Sequence, residues 1–382
     1  MTIGDTATLD RDGLDRLVVG LRDNGYRVIG PQVRDNAIVL DELDSPAALA
    51  TGWGVETAPG RYRIHRRTDA AVFAHSAGPG SWKQFLHPPR RRIERLDADL
   101  NPVPVRDDPV PTAFLGVRGC DMAAIATLGR VLGGGAHPDP DFASRRAGLF
   151  IVAVNCTEPG GVCFCASMGT GPGVSAGYDL ALTERLDAAG HRFLVEVGSA
   201  AGERILAGLH ADPATAAEVT DTRAEVAAGA GKMGRAMPEL DLRTLIRDSR
   251  DSPHWQDIAS RCLTCANCTM VCPTCFCTST EDQTDLTGEH AERWEHWASC
   301  FELDFSYLHG GSVRQSGEGR YRQWLSHKLS TWHDQFGSSG CVGCGRCIAW
   351  CPAGIDITAE AARFAELRQK AETQEGDPDG DR

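Results

Sequence analysis

Eight of the 15 cysteines of this chain fall into two copies of one phrase. The first is Cys262, Cys265, Cys268, Cys272 followed by Pro273; the second is Cys341, Cys344, Cys347, Cys351 followed by Pro352. Each reads C-x2-C-x2-C-x3-C-P, the run by which bacterial ferredoxins hold [4Fe–4S] clusters, the fourth cysteine serving the other cluster where there are two. Three thiolates two residues apart wrap a cube of iron and sulfide from a tight loop, while the fourth, three residues further on, points away. The spacing therefore predicts two crossed sites. Cys262, Cys265 and Cys268 take Cys351, and Cys341, Cys344 and Cys347 take Cys272. Each proline fixes φ and removes a donor, which stops its segment from continuing inward. The chemistry of such a pair is the movement of single electrons.

Other readings of these cysteines fit less well. Structural zinc sites run as two CxxC pairs separated by about 12–20 residues, not as two quartets each closed by proline. A disulfide framework needs an even count and suits small secreted scaffolds. Cys268, Cys272 and Cys275 also spell C-x3-C-x2-C, the phrase of radical S-adenosylmethionine enzymes, but two of these residues already belong to the ferredoxin quartet.

Subtracting the quartets leaves Cys120, Cys156, Cys163, Cys165, Cys275, Cys277 and Cys300. The first four follow two apolar, strand-like runs, Ala113 to Val117 and Leu149 to Val154. In an open α/β sheet, ligands collect beyond the carboxyl ends of strands. Four thiolates there complete a ligand set for a third [4Fe–4S] cluster; the same count suits zinc, or four buried thiols without metal. Cys275, Cys277 and Cys300 make a set of three, read as buried packing cysteines or as thiols that handle sulfur. Gly171, Gly173 and Ala176 satisfy G-x-G-x-x-A on paper, yet Pro172 interrupts the phrase and a strand-like run follows it, so a loop over the third set is expected. A flavin or nicotinamide site on this chain is not.

The elements that must position these residues divide in two. At 382 residues the chain is long enough for more than one core. Residues 10–23 carry Leu14, Leu17, Val18 and Leu21 at helical spacing, ended by Asn24-Gly25. Short strands are expected at Tyr26–Ile29, Ala37–Leu40 and Arg61–Ile64, then a proline-rich surface connection from Pro88 to Pro111. The α/β pattern resumes with a strand at Ala113–Val117, a helix from Met122 to Leu132, a fully apolar strand at Leu149–Val154, strands at Tyr178–Thr183 and Phe193–Val197, and helix over 200–232. From Pro253 strand patterns fade. Six of the eight tryptophans lie at or after position 255, and two helical patterns, Glu289 to His309 and Gly319 to Phe336, separate the quartets, with Trp294, Trp297, Trp324 and Trp332 expected to pack them. The fold class is thus α+β: an N-terminal α/β domain with a mixed sheet over 1–245, a C-terminal all-helical ferredoxin-type dicluster domain over 246–370, and a disordered tail over 371–382.

Net charge of −13 argues against nucleic acid or an anionic membrane surface as partner. Arg90, Arg91, Arg92 and Arg95 form the tight basic cluster, read as a solvated face or docking edge. No apolar run approaches the ~20 residues that span a bilayer. Asp5, Asp10, Asp12 and Asp15 occupy a start with no long apolar run, so an export signal is not expected and a cytoplasmic location is.

The phrases Gly116-Val117-Arg118-Gly119-Cys120-Asp121, Cys163-Phe164-Cys165, Asp179 to Thr183, Pro273-Thr274-Cys275-Phe276-Cys277, His309-Gly310-Gly311 and Cys341 to Cys347, in this order, resemble one family. It is the iron–sulfur beta subunit of cytoplasmic NAD(P)-linked nickel–iron hydrogenases, or sulfhydrogenases, and one component of anaerobic sulfite reductase is a near relation. The departures, Gly119 where proline is expected and His309-Gly310-Gly311, with Leu308 before it, where His-Ala-Gly-Gly is expected, remove no thiolate. The resemblance implies a heterotetramer with a flavin subunit that binds NAD(P)H, a small iron–sulfur subunit and a nickel–iron large subunit. This chain would then be a non-catalytic relay. The competing implication is a sulfite or sulfur reductase component using Cys275, Cys277 or Cys300.

Overall fold

The computed structural model describes residues 2–99, 101–105 and 110–375. The chain begins with β1 (Thr6–Asp10) and turns directly into α1 (Arg11–Asp23), where the Asp10 carboxylate accepts a hydrogen bond from the Gly13 N–H at 2.6 Å and caps the helix. Leu14, Leu17, Val18 and Leu21 form the buried stripe of α1, as their spacing requires. A hairpin of β2 (Arg27–Arg34) and β3 (Ala37–Glu42) is followed by a second of β4 (Trp53–Ala58) and β5 (Arg61–Arg66). Then come α2 (Lys83–Leu86), β6 (Arg90–Leu96), β7 (Thr112–Val117), α3 (Gly119–Leu132), α4 (Pro140–Ala147) and β8 (Leu149–Val154). The first half closes with β9 (Leu180–Asp187), β10 (Gly190–Val197), α5 (Ala200–Ala207), β11 (Asp212–Pro213) and α6 (Ala216–Gly229).

Eight of these strands make one mixed sheet in the order β11-β1-β10-β9-β8-β7-β2-β3. Its middle, β2, β7, β8 and β9, is parallel, and both flanks are antiparallel. Strands β7 and β8 are buried on both faces, which is why they read as continuous apolar runs rather than alternating ones. One face packs on α1 and α5 through Leu17, Phe150, Phe193 and Leu206. The other packs on α3, α4 and Trp82.

The second half contains α7 (Leu242–Asp248), α8 (His254–Arg261), α9 (Asn267–Met270), β12 (Thr278–Thr284), β13 (Ala291–Trp297), α10 (Gly317–Ser326), α11 (Trp332–Phe336), α12 (Arg346–Ala349) and α13 (Ile357–Glu375). Its core gathers Trp255, Phe301, Tyr321, Trp324, Leu329 and Phe364, with Val162, Phe164 and Met237 inserted from the first half. The division expected at residue 245 falls inside α7, whose Leu245 and Ile246 both enter this core. Helix α13 runs through residues 371–375, which were assigned to the tail; 376–382 lie outside the described residues. Among the described residues no helix is long and apolar enough to cross a membrane.

Two expectations fail together. The C-terminal half is not all-helical: the pattern from Glu289 to His309 forms β13, and the supposed surface connection after Pro88 contains β6. The two strands pair antiparallel, with β12 on the far side of β13. Their side chains explain why. Arg91 bonds Glu295 at 2.6 Å and Asp139 at 2.7 Å, Arg92 bonds Glu292 at 2.6 Å, and the Arg90 guanidinium lies 4.1 Å over the Trp294 ring. The arginine cluster is thus the cross-strand ladder of a small sheet rather than a solvated face. Trp294 and Trp297 belong to that sheet, whereas Trp324 and Trp332 pack the α10–α11 region as expected. Glutamate and tryptophan at spacings of two and three satisfy either period locally, and the distant partner strand decides.

Phe114 stands at the centre of the parallel strands, 4.6 Å from the Trp82 ring and 5.6 Å from Phe85. Phe114→Ala is expected to cost about 3–5 kcal/mol, read as a lower denaturant midpoint at unchanged slope.

Candidate metal centres

The two quartets adopt the same loop. Helix α8 ends at Arg261, and Cys262 to Cys268 then turn through left-handed backbone at Thr264 (φ 49°) and Ala266 (φ 65°) before entering α9. In the second copy the matching positions are Gly343 (φ 66°) and Gly345 (φ 74°), and the loop enters α12. Two left-handed residues two apart curl each loop so that its first three sulfurs face one side. Thr264 and Ala266 carry a Cβ at a cost of roughly 1–2 kcal/mol each. The second loop has no such choice: a Cβ on Gly343 would sit 2.5 Å from the Cys165 Cα, and one on Gly345 2.3 Å from the Val162 carbonyl oxygen.

Cys262, Cys265, Cys268 and Cys351 line one cavity, the last residue coming from the opposite quartet. Its other walls are mostly apolar, with Phe301, Ile355 and Ile357 among them, and Cys347 of the second quartet lines it as well. Backbone N–H groups of Thr264 and Ile355 donate to the Cys262 and Cys351 sulfurs at 3.4 and 3.3 Å. Two polar atoms in the wall, the Tyr321 hydroxyl and the Trp324 indole nitrogen, are buried without a partner. A buried donor left unpaired costs about 1–3 kcal/mol, so both fit a cavity whose occupant carries acceptor sulfurs. Burial pushes the Cys262 and Cys268 thiols up, and for Cys268 the neighbouring Cys262 adds to it. Cys265 lies at the exposed rim.

Cys341, Cys344 and Cys347 converge with Cys272 one layer further in. Burial raises Cys341 to about 12 and Cys344 to about 11, and Cys272 is an electrostatic neighbour of all three. Cys272 itself is held well below the usual thiol range, first by a hydrogen bond from Cys275 and then, against its burial, by the Lys328 ammonium. Lys328 donates to the Cys272 sulfur at 3.3 Å, to the Thr274 hydroxyl at 3.0 Å and to the Gly340 carbonyl at 3.2 Å.

The third set also assembles. Cys120 opens α3, Cys156 follows β8, and Cys163 and Cys165 lie in the next loop. Cys120 and Cys165 are within hydrogen-bond reach, and Cys163 neighbours both Cys120 and Cys156. Burial pushes Cys163 up to about 12. The glycine-rich loop covers this set: the Cys156 N–H donates to the Pro172 carbonyl at 3.1 Å, and a Cβ on Gly171 would lie 2.8 Å from the Cys165 sulfur.

The third set abuts the second. The Phe164 N–H donates to the Gly343 carbonyl at 2.9 Å and the Thr170 hydroxyl to the Val342 carbonyl at 2.7 Å. At the seam, buried Arg346 pairs with buried Asp121 at 3.0 Å and neighbours both Cys344 and Cys120. The three sets therefore stand in a row, the second in the middle. Cys275, Cys277 and Cys300 fall outside them: Cys275 touches Cys272, Cys300 neighbours Cys277, and burial raises Cys300 to about 12. The sequence reading missed Lys328, Arg346, Tyr321 and Trp324. Lys328 had a signal, since it lies on the apolar stripe of Trp324, Leu325, Leu329 and Trp332, where a lysine needs a buried reason.

The donors are thiols throughout, which suits iron–sulfur cubes and zinc alike by softness. Among the described residues no group of three His, Cys, Asp or Glu is gathered as a single ion requires.

Residues 261–355 match the family model of the 4Fe-4S dicluster domain. The chain is also 30% identical over 277 residues to the Sulfhydrogenase 2 subunit beta of Pyrococcus furiosus, a match covering 72% of this chain and 79% of that relative. The chain belongs to the sulfhydrogenase beta-subunit family. No solved structure matches it. As a member of this family with a dicluster domain, it is an iron–sulfur subunit whose work is electron transfer. The family match extends over far more of the chain than the dicluster domain, in keeping with an α/β half that supplies backbone and cysteines directly behind the second quartet.

Arg346→Met leaves the Asp121 carboxylate buried without its cation. A loss of about 3–5 kcal/mol is expected, measured by chemical denaturation under anaerobic conditions.

Proposed function

We propose that this chain is the internal wire of an NAD(P)-linked nickel–iron hydrogenase, carrying electrons between a flavin subunit that binds NAD(P)H and the hydrogenase module of a small iron–sulfur and a nickel–iron large subunit. Two [4Fe–4S] clusters would be held by the crossed quartets and a third by Cys120, Cys156, Cys163 and Cys165. The observation that carries this reading is the apolar cavity in which Cys351 stands with Cys262, Cys265 and Cys268. Each bound cluster would supply reversible one-electron transfer.

The residues have separable roles in this reading. The quartet cysteines hold the clusters, and their exchange staples the two loops together. Phe301, Ile355 and Ile357 exclude water from the first site, while Tyr321 and Trp324 offer it neutral donors. The exposed rim at Cys265, with Leu263 beside it at 64% exposure, is the natural side for a partner subunit to approach. Thiolate ligands of this kind persist in a reducing compartment, in line with a cytoplasmic location.

Sulfur handling by Cys275, Cys277 and Cys300 is the weaker reading. A reactive cysteine needs a depressed pKa and an electropositive, accessible setting. Burial raises Cys277 and Cys300, and the hydrogen bond to Cys272 raises Cys275 well above the usual range.

Cys344→Ser is expected to lower iron content and abolish flavin-to-acceptor electron flow while leaving the circular dichroism of the α/β half in place; unchanged iron and unchanged rates would reject the assignment. Cys163→Ser is expected to remove one further cluster's worth of iron and its visible absorption. Release of zinc instead, with iron unaltered, would replace the third cluster by a structural ion.

A further inference from the structure

Lys328 is buried among the cysteines of the second set, and among the described residues no carboxylate pairs with it. Its ammonium reaches the Cys272 sulfur at 3.3 Å, and its remaining contacts are neutral: the Thr274 hydroxyl, the Gly340 carbonyl, and the face of Trp332 at 5.2 Å. Removing an ammonium from water is costly unless a negative group faces it. Here the facing group is the Cys272 sulfur, with Cys275 and Cys341 among its neighbours. A second lysine, Lys83, adds positive charge from the same side, donating to the Cys275 carbonyl at 3.0 Å.

The first set has no buried cation against a sulfur: Arg320, the cation that acts on Cys262, is half-buried and donates to the Phe301 carbonyl at 2.8 Å. The sulfurs of that set receive backbone N–H groups, and the wall atoms left over are a neutral hydroxyl and a neutral indole. Of the other buried cations near the second set, Arg346 is balanced by Asp121 at 3.0 Å, and Lys83 donates to a carbonyl and lies over the Trp297 ring rather than against a sulfur. Lys328 is therefore the uncompensated buried charge in direct contact with a sulfur of the second set, and it separates the two sites. Cluster potentials are set by net charge, hydrogen bonds to sulfur and solvent exposure. Reduction adds one electron and breaks no bond, so the added negative charge must be stabilised where it stands. A fixed ammonium does so more strongly than a neutral donor, since charge-assisted hydrogen bonds are about twice as strong. Solvent at the Cys265 rim acts on the first set from one corner only, and there the field is screened.

We propose that Lys328 sets the reduction potential of the second cysteine set and holds it above that of the first, so that an electron shared by the pair rests beside Cys272 and Cys341. This rests on the reading of the quartets as cluster ligands. It makes Lys328 a positioning residue for charge, not a ligand, and gives the row of sites a direction, from the exposed rim inward.

The test is an EPR-monitored redox titration of the full chain purified anaerobically. The signal missing from Cys344→Ser identifies the second site. In the wild type that signal is expected at the higher midpoint. Lys328→Met is expected to lower it by at least about 59 mV, a tenfold change in a one-electron equilibrium, with the other signal staying within that margin. Lys328→Gln, which keeps an N–H donor without the charge, is expected to give most of the same shift, and Lys328→Arg to restore it. Intact iron with an unmoved midpoint in the Met and Gln variants would overturn the proposal. So would loss of iron from both, which would make Lys328 a purely structural cation. Absence of paired cluster signals in the wild type would instead remove the ligand assignment itself, and this inference with it.

Discussion

The close backbone contact between the 341–347 loop and the 162–165 loop is the constraint on which the rest of the molecule depends. Carbonyl and amide groups meet there with no side chain between them, since any Cβ at Gly343 or Gly345 would overlap Cys165 or Val162. That contact brings a cysteine loop of the helical half against a cysteine loop of the sheet half. It also buries Arg346, which is why Asp121 stands opposite it. Phe164 and Val162 then enter the C-terminal core, so the two halves share one packed interior rather than a wet interface.

From this seam the polarity of the site follows. Moving outward, the second quartet lies behind the first, and the first opens at Cys265. Charge differs along the same line: the outer cavity has apolar walls and Arg320 at its margin, while buried Lys328 and Arg346 stand among the inner cysteines. A row of thiol sets with an exposed end and a buried interior that holds cations suits the passage of electrons. The small sheet of β6, β12 and β13 braces this region from the side, with Trp297 donating to the His87 carbonyl at 3.0 Å and taking the Lys83 ammonium 3.7 Å above its ring.

Much of the scaffold was legible because its signals are local. The helix at 10–23, the buried strands β7 and β8, and α3 appear at their expected places because an apolar stripe or an apolar run admits one period. Two strands were invisible for a different reason. Arg90–Leu96 is a run of charges, and Ala291–Trp297 mixes glutamate with tryptophan; neither has a pattern until the other lies beside it. Short β1 and β4 were missed as well, each stabilised by a partner strand rather than by its own composition.

The sequence by itself determined the thiol inventory and its repeat, because ligand type and spacing along a loop are covalent facts. It also determined the family, through phrases spread along the chain. Tertiary structure alone decided which glycines are obligatory, that the third cysteine set adjoins the second rather than the first, and that a single lysine, 56 residues from Cys272 in sequence, is aimed at its sulfur. Electrostatic tuning acts through space and falls off with distance, so residues far apart in the chain enter it only once the fold has brought them together.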